Sequence, residues 1–86
     1  MACKILINIR NKNTKLKIRT LYYTDTYPYS TENAYLHAID IVQNYFQRYI
    51  KPFEINEGTK GTRTHRYWNI SPQKQNTYAT IVIDTE

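Results

Sequence analysis

Three cations, Lys15, Lys17 and Arg19, stand at every second position of the stretch KLKIRTLYY, with Leu16 and Ile18 between them. Read as a strand, alternation puts the cations on one face and the aliphatic residues on the other. Tyr23 extends the cationic side. A second group with the same spacing, Arg63, His65 and Tyr67, lies in RTHRYWNIS. Lys and Arg neutralise phosphate or carboxylate groups, and exposed tyrosines stack on unpaired bases. Lys15, Lys17, Arg19, Tyr23, Arg63, His65 and Tyr67 are therefore the candidate binding residues, and their chemistry is recognition of an anion.

The residues needed for a reaction do not come together in the same way. No carboxylate pair, Ser/His/Asp order or Gly-rich phosphate loop can be assembled. The expectation is a non-enzymatic protein without catalytic residues. His37 and His65 are isolated in sequence and read as surface residues. Cys3 is the only cysteine, which excludes an internal disulfide and a cysteine-based metal cluster. It shares parity with Ile5 and Ile7 and reads as a small buried hydrophobe. No metal or cofactor is expected.

Charge is unevenly distributed along the 86 residues, whose net charge is +5. Residues 1–24 hold six cations and no acid, and residues 58–75 hold four (Lys60, Arg63, Arg66, Lys74) and no acid. Between them, residues 25–57 carry five acids against Arg48 and Lys51. Two basic segments flank an acidic middle, which points to an anionic partner, either nucleic acid or a protein of a nucleic-acid-handling complex. The content of 41% hydrophobic and 14% aromatic residues is too apolar for a disordered chain. The length fits one domain, 1–86, with one core. The absence of an 18-residue apolar run and of a signal-peptide pattern at the N-terminus leads to the expectation of no membrane association and a cytoplasmic location.

Hydrophobic periodicity supplies the elements that must position these residues. CKILINIR alternates, with Cys3, Ile5, Ile7 and Ile9 on one face. Asn11–Thr14 is a turn cluster, after which the cationic stretch returns as a second strand. A four-residue loop opposes Arg10 to Lys15, Ile9 to Leu16 and Ile7 to Ile18, and places all the cations outward. Collecting like charges across a hairpin is unfavourable, and a bound anion relieves it. Ser30 or Thr31 caps a helix with an inward stripe of Tyr35, Ile39, Val42, Phe46 and Tyr49 or Ile50, ending before Pro52. Asn33, His37, Asp40, Gln43, Asn44, Gln47 and Arg48 form its polar side. PFEIN is a short strand with Phe53 and Ile55 inward, and EGTKGT is a turn. The last two strands set Trp68 opposite Ile81 and Ile70 opposite Ala79. The expected fold is α+β in the order β-β-α-β-β-β, with one helix packed on an antiparallel sheet in two layers. Ile39, Val42, Phe46, Trp68 and Ile81 are its expected core. The other sheet face is left to water.

Two resemblances bear on function. Lys17, Arg63, His65 and Tyr67 resemble the Tyr/Arg/Lys/His sets of small toxin ribonucleases of the RelE type, which would imply RNA cleavage. The paired N-terminal helices of that family are missing here. The usage rich in Ile, Asn, Lys, Tyr and Thr, with the hairpin KILINIRNKNTKLKIRTLYY and the helix STENAYLHAIDIVQNYF, is similar to small phage or mobile-element counter-defence proteins of the anti-CRISPR type. That resemblance implies a stoichiometric inhibitor of a nucleic-acid-handling defence complex in the host cytoplasm. Many such proteins are acidic, and this one is basic. A direct DNA- or RNA-binding module is the alternative.

Overall fold

Cys3, Ile5, Ile7 and Ile9 alternate with Lys4, Leu6 and Asn8, and all four are buried. They line the inner face of β1 (Cys3–Asn11). The computed structural model describes residues 2–59 and 61–85. Lys60, one cation of the second basic segment, lies outside the described residues. The remaining elements are β2 (Lys17–Tyr27), α1 (Thr31–Phe46), β3 (Ile55–Glu57), β4 (His65–Ile70) and β5 (Thr77–Thr85). They form one antiparallel sheet in the order β2-β1-β5-β4-β3, with a single helix. This is the α+β class expected, in the expected sequence order. The hairpin strand β1 and the C-terminal strand β5 are central, and α1 lies over them.

The β4–β5 register is the one the apolar pattern requires. Trp68 pairs with Ile81 and Ile70 with Ala79, and all four are buried. The Trp68 ring is held between Tyr35 of α1, 4.7 Å away between centroids, and the Arg66 guanidinium, 4.9 Å from its centroid. Arg66 in turn makes a bidentate pair with Glu57 across β3–β4, both contacts at 3.0 Å. Burial, and secondarily the Glu57 charge, push the Tyr35 hydroxyl above its ordinary pKa, while Arg66 opposes the shift.

The hairpin departs from the expected pairing. Arg10 faces Lys17, Ile9 faces Arg19, Ile7 faces Tyr22, Ile5 faces Thr24 and Cys3 faces Tyr27. The turn closes with Asn11 donating its backbone N–H to Leu16, and Lys15 takes a left-handed φ of 65°. Three irregularities then interrupt β2. Each adds a residue to one strand only, which shifts the inward set and twists an exposed edge. Leu16 and Ile18, expected inward, are 68% and 54% exposed. The physical reason is local: Leu16 precedes the strand, and Ile18 is the unpaired residue of the first irregularity, between Lys17 opposite Arg10 and Arg19 opposite Ile9. Tyr22 and Tyr27 take the inner positions beside β1 instead. They close on His37 of α1, edge-on at 5.5 Å and stacked at 5.3 Å. His37 is thus partly buried between tyrosines rather than on the polar side of the helix.

Ser30 caps α1 through its hydroxyl, which accepts from the Asn33 N–H. Ala34, Ala38 and Val42 form the buried line of the helix, with Tyr35, Ile39, Ile41 and Phe46 partly buried at its flanks. The expected core is therefore right for Val42, Trp68 and Ile81, while Ile39 and Phe46 sit at its edge. The helix ends at Phe46, four residues before the expected point, because Gln47 takes a left-handed conformation. The Gln43 side chain then accepts from the Ile50 N–H at 3.0 Å, and Ile50 returns to the core outside the helix.

Lys51 leads into one 3-10 turn, Pro52–Glu54. Phe53, expected inward, is 62% exposed, and Glu54 takes the interior position. The Glu54 carboxylate accepts from the Lys51 N–H, the Gln73 N–H and Arg48 Nη1 at 2.9, 2.7 and 2.9 Å. These donors, the Lys51 amide foremost, hold its pKa down to about 2 against the opposing effect of burial. Glu54 ties the exit of α1 to the turn between β4 and β5. The same turn receives Lys12, whose Nζ donates to the Pro72 carbonyl at 2.6 Å.

Candidate functional site

Cross-strand partners share a face, so the registers map the uncovered side of the sheet directly. Four rows cross it. The first is Lys4–Asp84–His65, the second Tyr23–Leu6–Val82–Tyr67, the third Thr20–Asn8–Thr80–Asn69–Asn56, and the fourth Lys17–Arg10–Tyr78. Alternation along each strand, after α1 has claimed the isoleucines of β1 and β5, leaves these residues to this face.

The rows differ in chemistry. In the first, His65 Nδ1 pairs with the Asp84 carboxylate, beside Lys4. The second row is apolar and aromatic. Tyr23 is 57% exposed at its outer end. At its other end the Tyr67 ring fills the space that a side chain at Gly58 would need, 1.8–2.5 Å from an ideal Cβ there. The Gly58 N–H donates to the Tyr67 carbonyl at 2.8 Å. The third row is amides and hydroxyls. Asn8 is its buried centre, and its Oδ1 accepts from the Thr20 hydroxyl at 2.9 Å. The fourth row is cationic. Arg10 Nη1 donates to the Lys15 carbonyl at 2.9 Å, and Lys15 Nζ stands 5.5 Å from the Tyr78 centroid. An open groove of about 600 Å³ runs along this end, lined by Lys12, Lys15, Asn56, Asn69, Ser71 and Tyr78. Of the acids, the register assigns Asp84 alone to this face, among the described residues; Asp25 falls in the irregular stretch between Thr24 and Tyr27.

Of the seven candidate residues, Lys17, Tyr23, His65 and Tyr67 lie in these rows, and Lys15 reaches the fourth row through Tyr78. Arg19 does not belong to this face. The first irregularity of β2 sets it opposite Ile9, on the helix side, with its guanidinium 5.8 Å from the Tyr45 centroid. Arg63 also lies elsewhere. It precedes β4 and lines a depression with Thr31, Glu32, Glu57, Thr62 and Arg66 on the helix side. Its alternation with His65 and Tyr67 holds only inside a strand, and the strand begins at His65.

The set resembling a toxin ribonuclease is not assembled. His65 and Tyr67 are neighbours, with ring centroids 6.3 Å apart, but Arg63 is on the other side of the sheet. Lys17 stands in the row of Tyr78, six residues along β5 from the Asp84 that holds His65, or roughly 20 Å at strand rise. Among the described residues no group of three or more His, Cys, Asp or Glu is placed to hold a metal ion, and no helix is long and apolar enough to cross a membrane.

Sequence parity put Leu6, Asn8, Arg10, Asn69, Tyr78 and Thr80 on this side of the sheet, but did not pair Arg10 and Tyr78 with Lys17, Leu6 with Val82, or Asn8 with Thr80. Parity placed the β1 residues on this face, but joining them to β5 required the strand order. That order puts the first and last strands side by side, a long-range pairing with no local signal. Comparison with protein-family models, with curated proteins and with solved structures finds no match for the chain.

Proposed function

We propose that this protein is a non-enzymatic binding module that engages an anionic partner through the open face of its sheet. The partner class is nucleic acid or a protein of a nucleic-acid-handling complex, the latter being the target of a small phage-type inhibitor. A cytoplasmic location goes with this reading.

One observation carries it: Arg10 and Lys17 are directly opposed on an exposed face, with Lys15 beside them. Like charges directly opposed across strands destabilise a sheet. The bond from Arg10 to the Lys15 carbonyl offsets part of that cost, and an anion spanning the pair reverses its sign. The adjoining tyrosine and amide rows supply contact area and hydrogen-bonding groups that a solvated face does not need.

Retention on heparin, a sulfated polyanion, tests the reading. Arg10→Glu/Lys17→Glu should elute at markedly lower salt than the wild type. Arg19→Glu changes the charge equally per residue but lies on the helix side, and should shift elution much less. Equal shifts per unit of charge in the two variants would show that net charge, rather than this face, governs binding.

A further inference from the structure

The open face is chemically graded, and the grading selects among anionic partners. Cations concentrate at the end beside the β1–β2 turn, and Lys4 stands at the opposite end, beside Asp84. The middle of the face is an amide and hydroxyl row, and beyond it is a row with a tyrosine at each end. A purely acidic surface would be matched by the cations alone and would leave both other rows without complementary groups. A polynucleotide strand offers all three counterparts: phosphates, base edges and base faces.

Resting on the reading that this face takes an anionic partner, we propose that the partner is single-stranded nucleic acid, with bases stacked on Tyr23 and Tyr67 and phosphates at Arg10, Lys15 and Lys17. The two tyrosines end a row of four strands, which places them roughly 14 Å apart at ordinary strand spacing. Leu6 and Val82 form an apolar floor between them. Thr80, Asn69 and Asn56 run parallel to that floor, one pleat away, where they meet the edges of bases lying on it, while Asn8 is buried in the same row and bonded to Thr20. The groove past Asn69 and Tyr78 continues to Lys15.

Duplex is disfavoured on two grounds. Rings on a sheet surface reach base faces only when the bases are unstacked. The five-stranded sheet is also about 19 Å wide, whereas a major groove of about 12 Å admits a helix or a two-stranded ribbon.

Gly58 supplies an independent handle on the stacking platform. The Tyr67 ring lies across the Gly58 backbone, in the volume a methyl group would occupy. Gly58 has no positive φ, so alanine suits the backbone there and the conflict is with the ring alone. Gly58→Ala should therefore displace the Tyr67 ring without touching any charge.

Fluorescence anisotropy with labelled oligonucleotides of about ten nucleotides, within the span of known single-strand sites, tests the proposal. The probes are one sequence as single-stranded DNA, as single-stranded RNA and as duplex DNA, an abasic strand of equal length, and poly-glutamate of equal charge. Wild type should bind at least one of the two single strands at least about five-fold more tightly than the abasic strand, the poly-glutamate and the duplex. Tyr67→Ala should lower that affinity roughly 5- to 150-fold, the range for loss of one base–aromatic stack. Gly58→Ala should lower it in the same direction, and Tyr67→Phe should leave it unchanged. None of the three should alter binding of the abasic strand. Thermal melts of each variant separate loss of stacking from loss of fold, and Gly58→Ala, with Tyr67→Phe as the control that keeps the ring, retains the test should Tyr67→Ala unfold. Equal binding of base-bearing and base-free probes, equal or tighter binding of duplex or poly-glutamate, or full affinity in folded Tyr67→Ala and Gly58→Ala would overturn the single-strand proposal. Those results would leave the anionic reading standing if Arg10→Glu/Lys17→Glu still abolished binding. Unchanged binding in the charge-reversal variant would overturn both.

Discussion

Glu54 is the interior acid among the described residues, and its three donors make it a carboxylate that the fold prefers ionised. Its pKa falls from 4.5 to about 2 on folding. A depressed folded-state pKa contributes stability above the unfolded value, and that contribution disappears as pH drops through the folded value. Stability should therefore decline between pH 4.5 and about 2, as read by urea midpoints across that window. Glu54→Gln should be less stable than wild type at neutral pH and should lose less over the same acid range. A variant with the wild-type acid profile would show that other carboxylates set it. His65 also has a defined partner, Asp84. It stands near Tyr67 but far from Lys17, and Arg63 is on the opposite side. Incubation of labelled RNA and DNA with substoichiometric protein should give no turnover, and His65→Ala should change affinity only. Multiple turnover that disappears in His65→Ala would contradict the non-enzymatic reading.

At the scale of elements, β1, β4 and β5 keep an uninterrupted period of two, and their inward residues were legible from alternation alone. Trp68 opposite Ile81 needed nothing more than matching apolar parities. The prediction that goes with this is energetic. Trp68 is 4% exposed, and Trp68→Ala should cost about 3–5 kcal/mol in chemical denaturation, a large fraction of the stability of a small domain. Phe46 is only partly buried at the helix flank and should cost clearly less; a Phe46→Ala loss equal to that of Trp68→Ala would place the helix differently on the sheet. The edge strand β2 was legible in type and direction but not in register. Three irregularities each change which residues face α1, and the choice between Ile18 and the Tyr22/Tyr27 pair depends on His37 of a later element. The helix end was misplaced for a similar reason. Ile50 continues the apolar stripe in sequence, yet reaches the core through Gln43 and a left-handed Gln47. Arg19 and Arg63 left the candidate site by these two routes, an irregular strand and a strand that starts later than its alternation.

At the scale of the whole molecule, one helix cannot cover both sides of a five-stranded sheet, and an open face follows from the element count. Its charge does not follow from the fold. Arg10 opposite Lys17 costs the free protein a few tenths to about 1 kcal/mol, so Lys17→Glu should keep or raise the melting temperature while weakening polyanion binding. A lower melting temperature would mean that Lys17 supports the fold. Wild-type binding should weaken steeply with salt, with a log–log slope reduced by about 0.7 for each phosphate contact removed from a single strand. The most direct measurement is an NMR titration of isotope-labelled protein with a short heparin fragment, which maps contacts without any substitution. Shifts concentrated around Arg10, Lys15, Lys17, Asn69 and Tyr78 are the predicted result. Shifts concentrated on the outer side of α1, at Leu36, Asp40, Gln43 and Asn44, would contradict it and move the binding surface to the helix.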